Sequence, residues 1–291
     1  MTLCLISPTG TIYTTTKGSP NPAGVVPGMA IALVPPVTPG SNWTEYELYL
    51  FGYSQEEQPL AGVVSEGGSL YGTTSSAGDG NCDLYGCGTV YELTPPGTAS
   101  GTWTETTLHT FTGQPGDGGS SLAALTVGPG GVLYGTTSIG GSGSCATSGT
   151  GLEGCGTVFQ LTPPATSAGT WTESILYGFT GINGDGAHPA ASVVMGKNGA
   201  LYGTTAQGGS ATSACPSSYQ GLAGCGTVFK LTPPSAPGGA WTETVLHDFT
   251  DANGDGASPV APLVPSSTGV LYGTTSAGGT AGKGTIFAVA P

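Results

Sequence analysis

Apolar and polar positions along this chain are set by a five-residue string, Leu-Tyr-Gly-Thr-Thr, which stands intact at Leu70–Thr74, Leu133–Thr137, Leu201–Thr205 and Leu271–Thr275. A worn copy, Ile12-Tyr13-Thr14-Thr15-Thr16, precedes them. The tyrosines, at 13, 71, 134, 202 and 272, are 58, 63, 68 and 70 residues apart. Around each copy, short runs of Val, Leu, Ile, Phe, Tyr and Thr alternate with clusters of Gly, Pro, Ser and Asn, the pattern of strands bounded by turns. In the third copy the pattern predicts strands over 121–127, 132–138, 156–162 and 171–179, with Gly128-Pro129-Gly130-Gly131 turning the first and Pro163-Pro164 stopping the third. No stretch keeps a helical period, and none has the roughly 18 apolar residues of a membrane helix.

A fixed period decides the architecture. The whole chain, 1–291, reads as one repeat domain with units near 1–58, 59–119, 120–187, 188–257 and 258–291. Three strand types recur in every unit. The fourth, beginning Trp-Thr-Glu, occurs only at Trp43, Trp103, Trp171 and Trp241. The expectation is an all-β, five-bladed β-propeller of four-stranded antiparallel blades, one blade a strand short; an open β-solenoid is the alternative. Alternation points Phe159 and Leu161 to one side of the third strand and Val158 to the other. Phe159 and Leu161, with Leu133 and Tyr134, are expected between neighbouring blades, and the repeated tryptophans and tyrosines are expected to share that role.

Glycine and proline, 54 and 23 of 291 residues, would suggest disorder if they lacked a period. Charge narrows the partners. There are 17 acidic residues against four lysines (Lys17, Lys197, Lys230, Lys283), no arginine, and a net charge of −13. That balance argues against nucleic acid, phosphate or an anionic membrane surface as a partner. Cys82 and Cys87, Cys145 and Cys155, and Cys215 and Cys225 fall in the same slot of three units, each pair closing a Gly/Ser-rich loop. They read as three disulfides in an oxidising compartment; the rival, metal binding, lacks a nearby histidine. Cys4 is left over, expected as a buried thiol of the first strand. No secretory leader is visible before Thr2–Ile6, so the natural product is expected to start earlier.

The string Leu-Tyr-Gly-Thr-Thr, then Gly-Gly, then Gly-Thr-Val-Phe-x-Leu-Thr-Pro resembles the GloVer-type tandem repeat of secreted or surface-anchored bacterial proteins, first noticed in Gloeobacter and Verrucomicrobia. The resemblance implies an extracellular, β-propeller-like array and transfers no catalytic residue. Two departures are the cysteine-bearing loops that lengthen units two to four and the expectation that no anchor follows Pro291.

Candidate chemistry lies in the loop after each tryptophan strand. The copy Asp251-Ala252-Asn253-Gly254-Asp255-Gly256 has the alternate-oxygen spacing of a calcium loop, although the twelfth position is Pro262 rather than glutamate. Asp251, Asn253 and Asp255 are therefore the candidate calcium ligands, against the plainer reading of a Gly-Asp-Gly turn. Asp117, Asp185 and Asp255 are equivalent, with Glu56 or Glu57 in the same slot of the first unit; facing a common axis they would form a carboxylate ring for a cation or for sugar hydroxyls. Two such carboxylates could also hydrolyse a glycoside, though repetition argues against an active site. The glutamates at 45, 105, 173 and 243 read as outward-facing. His109 and His247 share a slot with Tyr49 and Tyr177, and His188 stands beside Asp185, too scattered for a metal set. The function expected is a non-catalytic extracellular binding or structural module. Glycans, a surface protein or further copies of itself are its expected partners, and a carbohydrate-active hydrolase or lyase is the alternative.

Overall fold

Gly, Ser and Pro break the chain so often that strands stay short and pair with their sequence neighbours. A computed structural model describes residues 4–21, 24–52, 58–78, 80, 82, 86–98, 101–113, 116–145, 154–166, 168–210, 215, 224–236 and 238–291, with backbone alone for residues 19–26. Four four-stranded antiparallel sheets and one three-stranded sheet follow one another along it. The third sheet runs Thr126–Val127, Leu133–Thr137, Thr157–Thr162, Thr172–Gly178, each strand beside the next. The last sheet has only Val264–Pro265, Leu271–Thr274 and Ile286–Val289. Helix among the described residues is confined to two 3-10 turns, Pro129–Gly131 and Lys197–Gly199.

Each letter of Leu-Tyr-Gly-Thr-Thr has a separate task. Leu133 is buried against the preceding unit, and Tyr134 packs toward the following one. The glycine admits an aromatic ring: a β-carbon on Gly203 would lie 2.5 Å from Phe229 Cζ, closer than any real contact. In the first three copies the first threonine reaches the next unit, while Thr204 Oγ1 of the fourth is buried without a hydrogen bond. Thr15, Thr73 and Thr136 donate through Oγ1 to the carbonyls of Ala61, Ala123 and Ala191, at 2.7, 3.1 and 3.1 Å. The second ties strand two to strand three, as in the 2.7 Å hydroxyl pair Thr137–Thr157 and the 2.9 Å pair Thr205–Thr227.

Successive sheets are glued by aromatic edges. The phenylalanine that closes one unit's fourth strand meets the third-strand ring of the next: Phe51–Tyr91, Phe111–Phe159, Phe179–Phe229 and Phe249–Phe287, with centroids 5.0–5.1 Å apart. Those edge-on contacts are the geometry ring quadrupoles prefer. The expected alternation is present, with Phe159 and Leu161 packed with residues of the second unit and Val158 with those of the fourth.

Three expectations need correction. The tryptophans divide: Trp103, Trp171 and Trp241 pack, partly buried, against the clusters between units as expected, whereas Trp43, with no described unit before it, is 50 % exposed. The first strand of the third unit pairs only over Thr126–Val127, not from Ser121. Its missing part supplies Ala123, whose carbonyl is taken by Thr73 of the preceding unit instead of a sheet neighbour. Ala61, Ala123 and Ala191 line one shared cavity of about 50 Å³, where units crowd and small side chains fit. Cys4 is exposed, not a buried thiol. The three disulfides are those expected, Cys82–Cys87, Cys145–Cys155 and Cys215–Cys225.

The last sheet shows one uncovered face. Ile286 is 83 % exposed, whereas its counterparts Val90, Val158 and Val228 are fully buried against a following unit. Val228→Ala is expected to cost about 2 kcal/mol in urea denaturation and Ile286→Ala under about 0.5 kcal/mol. Equal costs would mean that another surface covers Ile286 in solution.

Candidate functional site at the seams between units

A Gly-Asp-Gly turn leads out of the fourth strands of units two, three and four, and its aspartate is used twice. Asp117 Oδ2 accepts from Thr112 N and Oγ1 at 2.7 and 2.8 Å, and Oδ1 accepts from Gly118 N at 2.6 Å. Asp185 and Asp255 hold Thr180 and Thr250 in the same way. The aspartate's own carbonyl then accepts the next unit's amide, Gly141, Gly209 or Gly279, each at 2.7 Å. Directly after Asp117, Gly118–Gly119 pairs with Ile139–Gly140, so the turn clasps two units together.

On the fourth strand a ring stands on the buried phenylalanine: His109 on Phe111 at 4.9 Å, Tyr177 on Phe179 at 5.1 Å and His247 on Phe249 at 4.6 Å between centroids. His109 Nε2 faces Asp117 Oδ1 at 3.5 Å and His247 Nε2 faces Asp255 Oδ1 at 3.3 Å. The first separation suits an ion pair and is too long for a good hydrogen bond.

From the following unit comes a glutamate. Glu173 arrives at the His109–Asp117 pair, and ligand atoms of the three lie within 4.8 Å of one another. Glu243 likewise faces Asp185 and Tyr177. The outward reading of these glutamates is corrected here: Glu105, Glu173 and Glu243 are half-buried, since a preceding unit stands against their face of the strand. Glu45, with no described unit before it, is exposed as expected.

Burial sets the protonation. Loss of water, then the neighbouring Asp117 charge, pushes Glu173 up to about 7, with His109 opposing. Glu243 is pushed up to about 7 by burial and then by Asp185. Burial also works to raise Asp117, but His109 and the donors on Thr112 and Gly118 outweigh it and hold the carboxyl below its usual range. Asp255 is lowered against burial by the Thr250 and Gly256 amides, with His247 assisting. The seam between units two and three therefore sets an ionised aspartate, Asp117, beside a glutamate, Glu173, that keeps its proton near neutrality. His188 belongs elsewhere: burial lowers its pKa, and its Nδ1–H donates to Ser138 O at 2.7 Å.

Folded Glu243 keeps a proton that the unfolded chain releases near its ordinary 4.5. Its contribution to stability is thus greatest below that value and is lost as pH rises toward 7. Glu243→Gln is expected to leave melting unchanged at pH 4 and to raise stability at pH 8. The gain is about 1 kcal/mol after discounting for partial exposure. A pH-independent difference between the two proteins would remove this assignment.

Of the carboxylates read as a ring, Asp117, Asp185 and Asp255 each hold their own turn, and none lines the cavity shared by the units. Glu56 lies outside the described residues. Asp251 and Asn253 have left-handed backbone, φ 56° and 54°, in a turn closed by Asp255 N to Ala252 O at 3.0 Å. Both Asp255 oxygens already accept protein donors there.

Two features escaped the sequence reading. One is the phenylalanine series, visible as Phe51, Phe111, Phe179 and Phe249, each eight residues after a tryptophan. The other is the glutamate across each seam, for which only the repeated Trp-Thr-Glu hinted.

A family model described as the Gloeobacter/Verrucomicrobia repeat matches residues 145–291. None of the curated proteins matches the chain. A solved structure titled "Crystal structure of glucose dehydrogenase" is similar with a TM-score of 0.35 and 11 % identity over 96 % of each chain, a likeness from which nothing about activity follows. Among the described residues no helix is long and apolar enough to cross a membrane.

Proposed function

The chain belongs to the Gloeobacter/Verrucomicrobia repeat family, and from that premise we propose that it is an extracellular, non-catalytic β-propeller module that binds a glycan or a surface protein. One observation carries the reading: the polar groups of the repeating motif are spent on joining units. Threonines latch onto alanine carbonyls, and aspartates cap turns and pass their carbonyls to the next unit. The most reactive slot is filled by His or Tyr in alternate units. An active site needs an unlike residue at one place, and this arrangement multiplies like ones.

Five sheets in succession, with a cavity lined by Ala61, Ala123, Ala191 and Pro262 of four units, support blades set around one axis. The joint between the fifth and first blades stays open at Ile286. Three disulfides and a net charge of −13 support an oxidising, extracellular setting. Contacts with a ligand fall to the loops between second and third strands, which those disulfides tie to the sheets and whose lengths differ most between units.

A glycan array of the purified protein, with calcium and after chelation, with bound glycans checked for cleavage, tests the proposal. Calcium-dependent retention without cleavage supports a binding module and assigns Asp251, Asn253 and Asp255 to the cation. Cleavage overturns it in favour of a glycoside hydrolase or lyase. Capture of neither glycans nor proteins from the surface of the producing cells also rejects binding, leaving a purely structural array.

A further inference from the structure

We propose that the seam between the second and third units, built by His109, Asp117 and Glu173, is a binding site for a first-row divalent transition cation such as Zn²⁺. The three side chains come from three separate places: a fourth strand, the turn after it, and the fourth strand of the next unit. Imidazole with two carboxylates is a donor set that suits zinc and its neighbours, whereas calcium takes oxygens alone.

Spacing permits it. Zinc holds nitrogen and oxygen at about 2.0–2.2 Å, so two ligands of one ion are separated by at most about 4.3 Å. The three atoms now lie within 4.8 Å of one another, so a contraction of about half an ångström closes the site. Two of the groups are also poorly satisfied. Glu173 Oε1 is buried with no hydrogen bond, and His109 Nε2, buried as well, has only its 3.5 Å contact with Asp117, a costly state that a cation would relieve.

The sister seams serve as controls. Between units three and four, Tyr177 replaces the imidazole beside Asp185 and Glu243, and a phenol pushed up by burial and by those carboxylates is a poor zinc ligand. After the fourth unit, His247 and Asp255 are present, but the fifth sheet has no fourth strand to bring a glutamate. Among the described residues only one seam has all three ligands.

Titration calorimetry of the disulfide-intact protein with zinc chloride is expected to show one equivalent bound per chain, and Co²⁺ should produce visible absorption bands of a low-symmetry site. His109→Tyr copies the neighbouring seam, so it is expected to fold and to lose binding. Glu173→Gln is expected to weaken it at least about tenfold. Tyr177→His is expected to create a second equivalent, and His247→Tyr to leave the count at one. No saturable binding overturns the proposal. So does binding that survives His109→Tyr, which would mark an adventitious ion only, or binding lost on His247→Tyr instead.

Discussion

Phe179→Ala is expected to remove about 3–5 kcal/mol, a large part of the 5–15 kcal/mol that holds a typical domain. Its ring is fully buried, meets Phe229 edge-on at 5.1 Å and packs in one cluster with Cys145, Cys155, Val193 and Leu201. Residues of units three and four share that cluster, so a void there weakens the joint as well as the sheet. The variant is therefore expected to melt in two steps, since neighbour coupling is what makes a repeat array unfold as one. Trp171→Ala, at a half-buried site, should cost less and leave a single transition. A loss below about 1 kcal/mol at Phe179 in differential scanning calorimetry would show that the rings do not carry the joint.

Replacing Cys145 and Cys155 together by alanine is expected to cost about 3 kcal/mol, the chain-entropy value for a loop of this length. The crosslink spans ten residues, and both cysteines are buried at the same joint as Phe179. Packing loss adds to the entropy term, so the pair should matter more than Cys82–Cys87, which spans five and is worth about 2 kcal/mol on the same scale. Urea melts with and without dithiothreitol provide the measurement. A wild-type midpoint unmoved by full reduction would contradict the role given to these bonds.

Much of this was open to a reader of the sequence. The period of Leu-Tyr-Gly-Thr-Thr led directly to nineteen strands in five sheets, because local hairpins need only turns and alternation to be recognised. The disulfides were legible too, since each pair shares a slot. Glu173 was not. It meets Asp117 from 56 residues away, and that meeting depends on how one sheet sets against the next, which no local pattern encodes. Trp43 misled for the opposite reason: repetition and size suggested core, but the residue has no described unit before it and stays half in water. Phe179 carried an equally regular signal, and its smaller ring is the one that seals the joint.

The joint has a consequence for how such a molecule changes over generations. Units two and three each present a threonine and a phenylalanine to the unit after, and an alanine carbonyl and a third-strand ring to the unit before. Both halves of the coupling lie in one stretch of coding sequence. Duplicating that stretch inserts a unit that fits its two neighbours at once, and deleting it rejoins partners already matched. A cut elsewhere leaves a donor without its acceptor. Length in this design is therefore inherited in whole units, and selection is left free to act on the loops.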